Sequence, residues 1–399
     1  MDTRFKYYCI LSVFLIVLLS IGCSFKGTPL TSSGVDYEPH MVWNGSHFGI
    51  VHYHSSGGSG SGAWPDIDVK KVDKNGGIVV SKNGAGSIQH LYAPFILSNL
   101  VWNSKNQQFA FAYTKDKVIH FIRMDASLNV IGSPLIIQFP GLQVDSMEHP
   151  RLVDLSLVWN DVKNQYGLTY VTEEHPYLQD RHDDIYISRI SASGNFVGPY
   201  ARHHIVTCPG DCEKTSLSYN TKTGQYALSY FKNNFPQHHV TLGLLKANGI
   251  VSEHTLMAGW NPGWGRETKV IFDDRTDDYV VTALKDKPGS LHGHELCYQI
   301  ADSNGQPKGN YFVRSGVQGY DKIISIGNYL SPVKNRYLIC ASEQQQIHCW
   351  VAAETGHVKT DIGYTSKNVN SWHPSLSVVD GVYLSWIQDG SLYFGKAKK

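Results

Sequence analysis

The chain has 399 residues, of which 17% are charged and 12% aromatic, and its formal net charge is +1. A balanced charge without a clustered basic face argues against a nucleic-acid partner, because counterion-release binding needs such a face. The 37 glycines and 23 tyrosines, against 5 methionines, favour strands and tight turns over helices.

Residues 1–22 have the order of an export signal. Arg4 and Lys6 form a basic start, and Ile10–Leu19 is an apolar stretch that is short for a membrane span. We therefore predict that this segment directs export and is removed.

The segment Leu19–Cys23 resembles the lipobox of bacterial lipoproteins, although Ser20 stands where that motif usually has leucine. The resemblance implies that Cys23 is acylated and that the mature protein is anchored to a bacterial membrane, at the outer membrane or the cell surface. Residues 23–34 are then the lipidated N-terminus and a closing strand, and 35–399 form one repeat domain.

An aromatic-led strand recurs along the chain and is the strongest internal signal. Its copies are Phe48–Tyr53, Phe109–Tyr113, Tyr166–Tyr170, Tyr226–Tyr230, Tyr279–Ala283, Tyr337–Cys340 and Tyr383–Trp386. A Val-Trp-Asn strand precedes the first three copies, and a third strand follows every copy, usually closed by a hairpin turn such as Asp73–Gly76. With a weaker fourth strand, each unit predicts a four-stranded antiparallel blade.

The side chains of these strands predict stacked blades. In Phe109–Tyr113 large residues occupy one face and small residues the other, whereas a solvated face would carry polar residues. The last unit has only three strands, and Thr28–Ser32 precedes the first unit without a hairpin partner. We expect this N-terminal segment to complete the last blade and close the ring.

The units resemble the blades of exported bacterial β-propeller proteins, with Val158–Asn160, Tyr166–Tyr170 and Asp184–Ile190 as the best matching unit. The resemblance implies an all-β, seven-bladed propeller of four-stranded antiparallel blades. It carries little information about function, because one fold serves many functions.

Cysteines are expected to be oxidised in an exported protein. Cys208 and Cys212 enclose a turn, and Cys340 and Cys349 face each other across a predicted hairpin. Both pairs are disulfide candidates, and Cys297 is expected to be a buried hydrophobic residue.

Long, chemically rich loops are expected on one face of the ring, where an aromatic-lined mouth is the default binding site. The candidate ligand-binding residues there are Trp64, His149, Tyr177, Trp260, Trp264, His292, His294, Trp372 and His373. The tryptophans could stack on sugar rings or simply pack over the ring. Zinc at His292 and His294 is a weaker alternative to histidines that only line a loop, so no metal site is predicted.

The sequence contains no hydrolase elbow, zinc-protease motif, phosphate loop or dinucleotide fingerprint, and we predict neither catalytic residues nor a cofactor. The leading hypothesis is a monomeric, non-catalytic binding or scaffolding protein whose partners are the lipid membrane and an envelope protein or glycan. The alternative is a carbohydrate-active hydrolase or lyase that uses carboxylates and histidines from several blades.

Overall fold

A computed structural model describes residues 25–32, 35–55, 66–87, 96–115, 118–138, 151–174, 182–198, 203–209, 212, 215–234, 237–246, 249–260, 267–286, 293–318, 324–329, 336–343, 346–353, 358–364 and 371–397. Within these ranges the regular elements are all β-strands, so the predicted all-β class is confirmed. The same ranges contain no helix of the length and hydropathy needed to cross a membrane.

The strands of the described residues pair into seven four-stranded antiparallel sheets. In chain order the strands are β1 (Phe25–Pro29), β2 (Val35–Trp43), β3 (Phe48–Ser55), β4 (Asp66–Val72), β5 (Ile78–Ser87), β6 (Val101–Asn103), β7 (Gln108–Lys115), β8 (Val118–Asp125), β9 (Leu135–Ile137), β10 (Arg151–Asn160), β11 (Gln165–Glu174), β12 (His182–Ser191), β13 (His203–Pro209) and β14 (Ser216–Tyr219). They continue as β15 (Tyr226–Asn234), β16 (Gln237–Lys246), β17 (Gly249–Trp260), β18 (Glu267–Asp273), β19 (Asp278–Asp286), β20 (Gly293–Asp302), β21 (Phe312–Gln318), β22 (Ile324–Tyr329), β23 (Arg336–Glu343), β24 (Gln346–Ala353), β25 (Val358–Tyr364), β26 (Ser371–Val378), β27 (Val382–Gln388) and β28 (Ser391–Ala397).

Six sheets are meanders of consecutive strands, and the first strand of each sheet contacts the first strand of the next. These inner strands are β2, β6, β10, β14, β18, β22 and β26, and β26 in turn contacts β2. Sheets arranged in this way around shared inner strands are the blades of a β-propeller. The predicted propeller of four-stranded antiparallel blades is therefore confirmed.

The remaining sheet joins the two ends of the chain. Its order is β1-β28-β27-β26, with Phe25 opposite Ala397 and Pro29 opposite Tyr393. The N-terminal segment thus supplies a fourth strand to the C-terminal hairpins, as predicted. The strand lies at Phe25–Pro29, three residues earlier than the predicted segment.

Neighbouring blades pack large side chains against small ones. A Cβ atom on Gly49 would lie 2.5 Å from the Phe109 ring, and one on Gly167 would lie 2.6 Å from the Tyr226 ring. Within a blade, the ring centroids of Trp159 and Tyr166 are 4.7 Å apart. These contacts confirm the predicted large-against-small faces and explain why the aromatic-led strand recurs.

Both cysteine pairs that the sequence singled out are joined in the structure. The Cα atoms of Cys208 and Cys212 are 5.8 Å apart, and those of Cys340 and Cys349 are 4.1 Å apart across a strand pair. Cys297 is buried outside both disulfides.

Each sheet has two ends, which define two faces of the ring. The turn face carries the short turns between first and second strands and between third and fourth strands, such as 161–164 and 73–77. The loop face carries the connections between second and third strands and between blades. Several of these connections, including 56–65 and 261–266, lie outside the described residues.

Candidate functional site

Short polar side chains link the inner strands to one another. Each accepts a hydrogen bond from a backbone N–H of the next inner strand: Met41 donates to Ser375 Oγ at 2.9 Å, Leu157 to Asn99 Oδ1 at 2.9 Å, Leu217 to Ser156 Oγ at 2.9 Å, and Val270 to Ser216 Oγ at 3.1 Å. An inner strand has no sheet partner on the side of the ring axis, so these side chains pair N–H groups that would otherwise be orphaned.

Lys269 takes the place of a short polar residue in β18, one position before Val270. Its Nζ lies 3.0 Å from Glu267 Oε1 on the same strand face. About a third of the lysine side chain (32%) is accessible, although its strand is an inner strand of the ring. This combination is typical of a side chain that lines an internal channel.

Carboxylates from three inner strands act on Lys269. Burial by itself lowers the pKa of this lysine, but the charges of Glu267, Asp154 and Glu38 outweigh burial and raise the pKa above its usual value. Lys269 therefore stays protonated throughout the neutral range. We call Glu38, Asp154, Glu267 and Lys269 the Lys269 cluster.

Local backbone irregularities position the carboxylates. The β2–β3 register shifts between Tyr37 and His40, and Glu38, within this bulge, has a φ of +46°. The β10–β11 register shifts just before Asp154, whose Oδ2 accepts hydrogen bonds from the Oγ1 (2.7 Å) and the backbone N–H of Thr215. Bulges of this kind re-aim side chains, here at the starts of inner strands, which border the loop face.

The cluster combines an ammonium donor with three carboxylate acceptors, and it carries two net negative charges when all four groups are ionised. Such a site can bind a ligand that offers both hydroxyl donors and acceptors. In the described part of the chain, no group of three or more His, Cys, Asp or Glu residues is arranged to hold a metal ion.

A second polar cluster lies where the first blade meets the last. Asp36 is 1% exposed and accepts hydrogen bonds from Leu392 N at 2.9 Å and from Thr31 Oγ1. The Nδ1 atoms of His54 and His52 lie 2.7 and 3.2 Å from its Oδ1. Burial alone would raise the pKa of Asp36, but the hydrogen bonds and the charge of His52 lower it to about 2.

This Asp36 clasp fixes the crossing from β1 to β2. The Asp36 N–H donates to the carbonyl of Gly390, in the turn that joins β27 to β28, at 2.8 Å. Backbone and side chain of one residue thus tie the first inner strand to the last blade. The clasp is buried, so we assign it a structural role.

The structure describes the predicted site residues only in part. Trp64, His149, Tyr177, Trp264 and His292 lie outside the described residues, and Trp260, His294, Trp372 and His373 lie in β17, β20 and β26. These four were expected in loops, and that expectation was wrong. Ladder pairing extends each strand into the predicted loop, with Trp260 opposite His238 and His294 opposite Asp286. All four border the loop face.

The Lys269 cluster was not predicted from the sequence. The signal was a repeated spacing in which a carboxylate stands two positions before a polar or basic residue: Glu38–His40, Asp154–Ser156 and Glu267–Lys269. An alignment of the units on their inner strands would have brought these residues together.

No protein-family model matches the sequence, and the comparison with curated proteins finds no match. Among solved structures, the Dos1 propeller superposes with a TM-score of 0.54 and 11% identity, covering 95% of each chain. The periplasmic gluconolactonase PpgL of Pseudomonas aeruginosa superposes with a TM-score of 0.53 and 12% identity, covering 86% of this chain and 96% of that chain. At such identities the likeness shows the fold alone.

Proposed function

We propose that this protein is an exported, lipid-anchored propeller that binds a hydroxyl-rich ligand, such as a glycan, at the loop-face mouth of its central channel without transforming it. The observation that carries the proposal is the Lys269 cluster, in which Lys269 pairs with Glu267 at 3.0 Å and also feels the charges of Asp154 and Glu38 from two other blades. A ring brings together residues distant along the chain, and polar groups that converge in a concave site are the usual means of orienting a ligand.

We also propose that the seven sheets are the blades of one closed ring. Contacts between successive inner strands, including β26 with β2, support closure, and so does the pairing of β1 with β28. Export is supported by the lipobox-like segment before Cys23 and by two disulfides, which persist in oxidising compartments.

Binding is favoured over catalysis by the state of the lysine. A general base or nucleophile must lose its proton near neutral pH, which a lysine with a raised pKa does not do. Asp154 and Glu267 already accept hydrogen bonds or ion pairs from Thr215 and Lys269. The cluster is thus preorganised as a set of donors and acceptors.

One observation favours the second candidate, a carbohydrate-active hydrolase or lyase. Carboxylates from different blades, Glu38, Asp154 and Glu267, all act on one lysine, and paired carboxyl groups are the requirement for glycoside hydrolysis. The test must therefore report binding and turnover separately.

The experiment is a glycan-array screen of the released body, Ser24–Lys399, beside Lys269→Met and the matched control Lys163→Met, which changes an exposed lysine of the turn face. We expect a bound glycan whose signal falls at least tenfold in Lys269→Met and stays unchanged in the control. Thermal unfolding of each variant shows that it is folded, and Glu38→Gln supplies a second probe of the cluster.

Mass spectrometry of the bound glycan after prolonged incubation separates the two candidates. An unchanged glycan supports binding, and cleavage that is lost in Glu38→Gln supports the enzyme. Equal binding by wild type and both cluster variants would contradict the assignment of the site to the Lys269 cluster.

A further inference from the structure

The first described strand begins at the turn face. Phe25 pairs with Ala397 at the far end of β28, and the turn 379–381 joins β26 to β27 at that same end of the sheet. In the sequence, only Ser24 separates Cys23 from Phe25. Two peptide units span about 7 Å, so an acyl chain on Cys23 would leave the protein at the turn face.

Exposed apolar side chains gather on the same face. Four of those in the described residues lie in or beside its turns: Ile78 (46% exposed), Val79 (48%), Val130 (41%) and Val162 (43%). Ile78 and Val79 directly follow the turn 73–77, and a Cβ on Gly76 in that turn would lie 3.1 Å from Thr28 of β1. Apolar surface therefore adjoins the strand that leads to the anchor.

Lysines project from equivalent turns of three consecutive blades. Lys105, Lys163 and Lys222 are exposed in the turns between first and second strands, and these three turns contain one acidic residue, Asp161. Lys222 also lies 3.4 Å from Asp277 in the next turn. Clustered lysines beside apolar side chains are the combination that fits an anionic lipid surface.

We propose that the turn face lies against the lipid bilayer, held by the short linker and by these apolar and basic side chains, with the loop-face mouth directed away from the membrane. The inference rests on the proposed lipid anchor. It deepens the proposed function, because this orientation leaves the Lys269 cluster open to ligands on the distal side.

The test uses the acylated full chain in vesicles of zwitterionic and anionic phospholipid at 3:1, with a nitroxide quencher on the lipid headgroups. Single cysteines carry a fluorophore in Val162→Cys on the turn face or, as the matched control, in Asp66→Cys on the loop face. Labelling is selective, because four of the seven native cysteines are in disulfides, Cys297 is buried, Cys23 carries the proposed acyl chain, and Cys9 lies in the segment that is removed on export. We expect at least twofold stronger quenching at residue 162 than at residue 66.

Flotation with vesicles is measured first and tests the anchor separately. If the acylated chain fails to float, the anchor proposed above is wrong and the orientation falls with it. If the chain floats but both labels are quenched equally, or residue 66 more strongly, the anchor stands and the orientation is overturned.

A variant with a longer linker then separates the effect of the short tether from the effect of the turn-face side chains. Twenty Gly/Ser residues inserted between Ser24 and Phe25 free the body from the short tether. We expect the stronger quenching at residue 162 to persist on anionic vesicles and to fall at least twofold on purely zwitterionic ones. Equal quenching of the two labels on anionic vesicles would overturn the role of the apolar and basic side chains.

Discussion

The two faces of the ring differ in whether their polar contacts repeat from blade to blade. On the turn face, the same hydrogen bond recurs in several blades. An asparagine at the end of the first strand accepts it through its side-chain oxygen from a backbone N–H of the following turn. Asn44, Asn103, Asn160 and Asn220 make these bonds at 2.7, 3.0, 3.0 and 3.0 Å. On the loop face the blades differ, with the Asp36 clasp in one place and the Lys269 cluster in another.

This difference distinguishes residues that stabilise the fold from residues that can bind a ligand. A turn repeated in successive blades satisfies the same backbone groups each time, so its role is structural. Lys269 breaks a series in which Asn99, Ser156, Ser216 and Ser375 pair backbone N–H groups of the next strand. A long cation in that series adds charge that the fold does not require, and it points to function.

The largest expected effect comes from breaking the clasp on the loop face. Asp36→Ala leaves His52 and His54 without their buried carboxylate partner, while the Leu392 N–H keeps Thr31 Oγ1 as an acceptor. We expect the free energy of unfolding to fall by about 3–5 kcal/mol. Urea denaturation measures the loss, and Asp66→Ala, an exposed aspartate on the same face, should change stability by less than about 0.5 kcal/mol. Equal losses in the two variants would show that the clasp does not hold the ring closed.

The same clasp predicts a pH dependence. The folded pKa of Asp36, about 2, lies below its ordinary value of 3.8, so the unfolded state takes up the proton first as pH falls. The stabilisation is complete above about pH 5 and is lost as pH falls from about 4 to 2, amounting to about 2 kcal/mol. Stability measured against pH should show this loss in the wild type and a smaller one in Asp36→Asn. Parallel curves for the two proteins would contradict the lowered pKa.

A packing contact between two neighbouring blades should have a smaller effect on stability. Gly167→Ala places a Cβ 2.6 Å from the Tyr226 ring between two blades, and the backbone of neither strand can retreat easily. We expect a loss of about 1–3 kcal/mol from overpacking. Ala227 occupies the equivalent position in the next blade, and Ala227→Gly should cost less than about 1 kcal/mol. An unchanged Tm for Gly167→Ala would indicate looser blade packing than the structure shows.

The hydrogen bonds between inner strands should have the next largest effect on stability. Ser156→Ala removes the acceptor of the Leu217 N–H, and we expect a loss of about 1 kcal/mol, because channel water can replace part of the bond. Ser104→Ala, in an exposed turn, is the control and should be neutral. Faster amide exchange at Leu217 in Ser156→Ala alone would locate the effect, and equal exchange in both variants would refute it.

The contrast between the faces also explains how much the sequence predicted. The aromatic-led strands repeat, so their periodicity predicted the blades, and their large and small faces predicted the stacking. The missing fourth strand of the last unit predicted the closing strand. The Lys269 cluster could not be found from the repeat, because Glu38, Asp154 and Glu267 lie far apart in the sequence, in three different sheets, and two of them follow or lie within register shifts. Trp260 and His294 were assigned to loops because their local composition is typical of loops, whereas ladder hydrogen bonds keep both in strands.

The smallest expected effect belongs to the turn face. Lys74 joins the first blade to the last through an ion pair with Asp380 and lies 4.9 Å from the centre of the Trp43 ring. Asp380 also faces Lys396 at 3.7 Å, so a second cation remains when Lys74 is replaced. We expect Lys74→Ala to lower the Tm by only about 1–2 °C, because exposed ion pairs are screened by water. The difference from wild type should shrink further in 1 M salt. A loss as large as that of Asp36→Ala would mean that closure of the ring depends on the turn face as much as on the clasp.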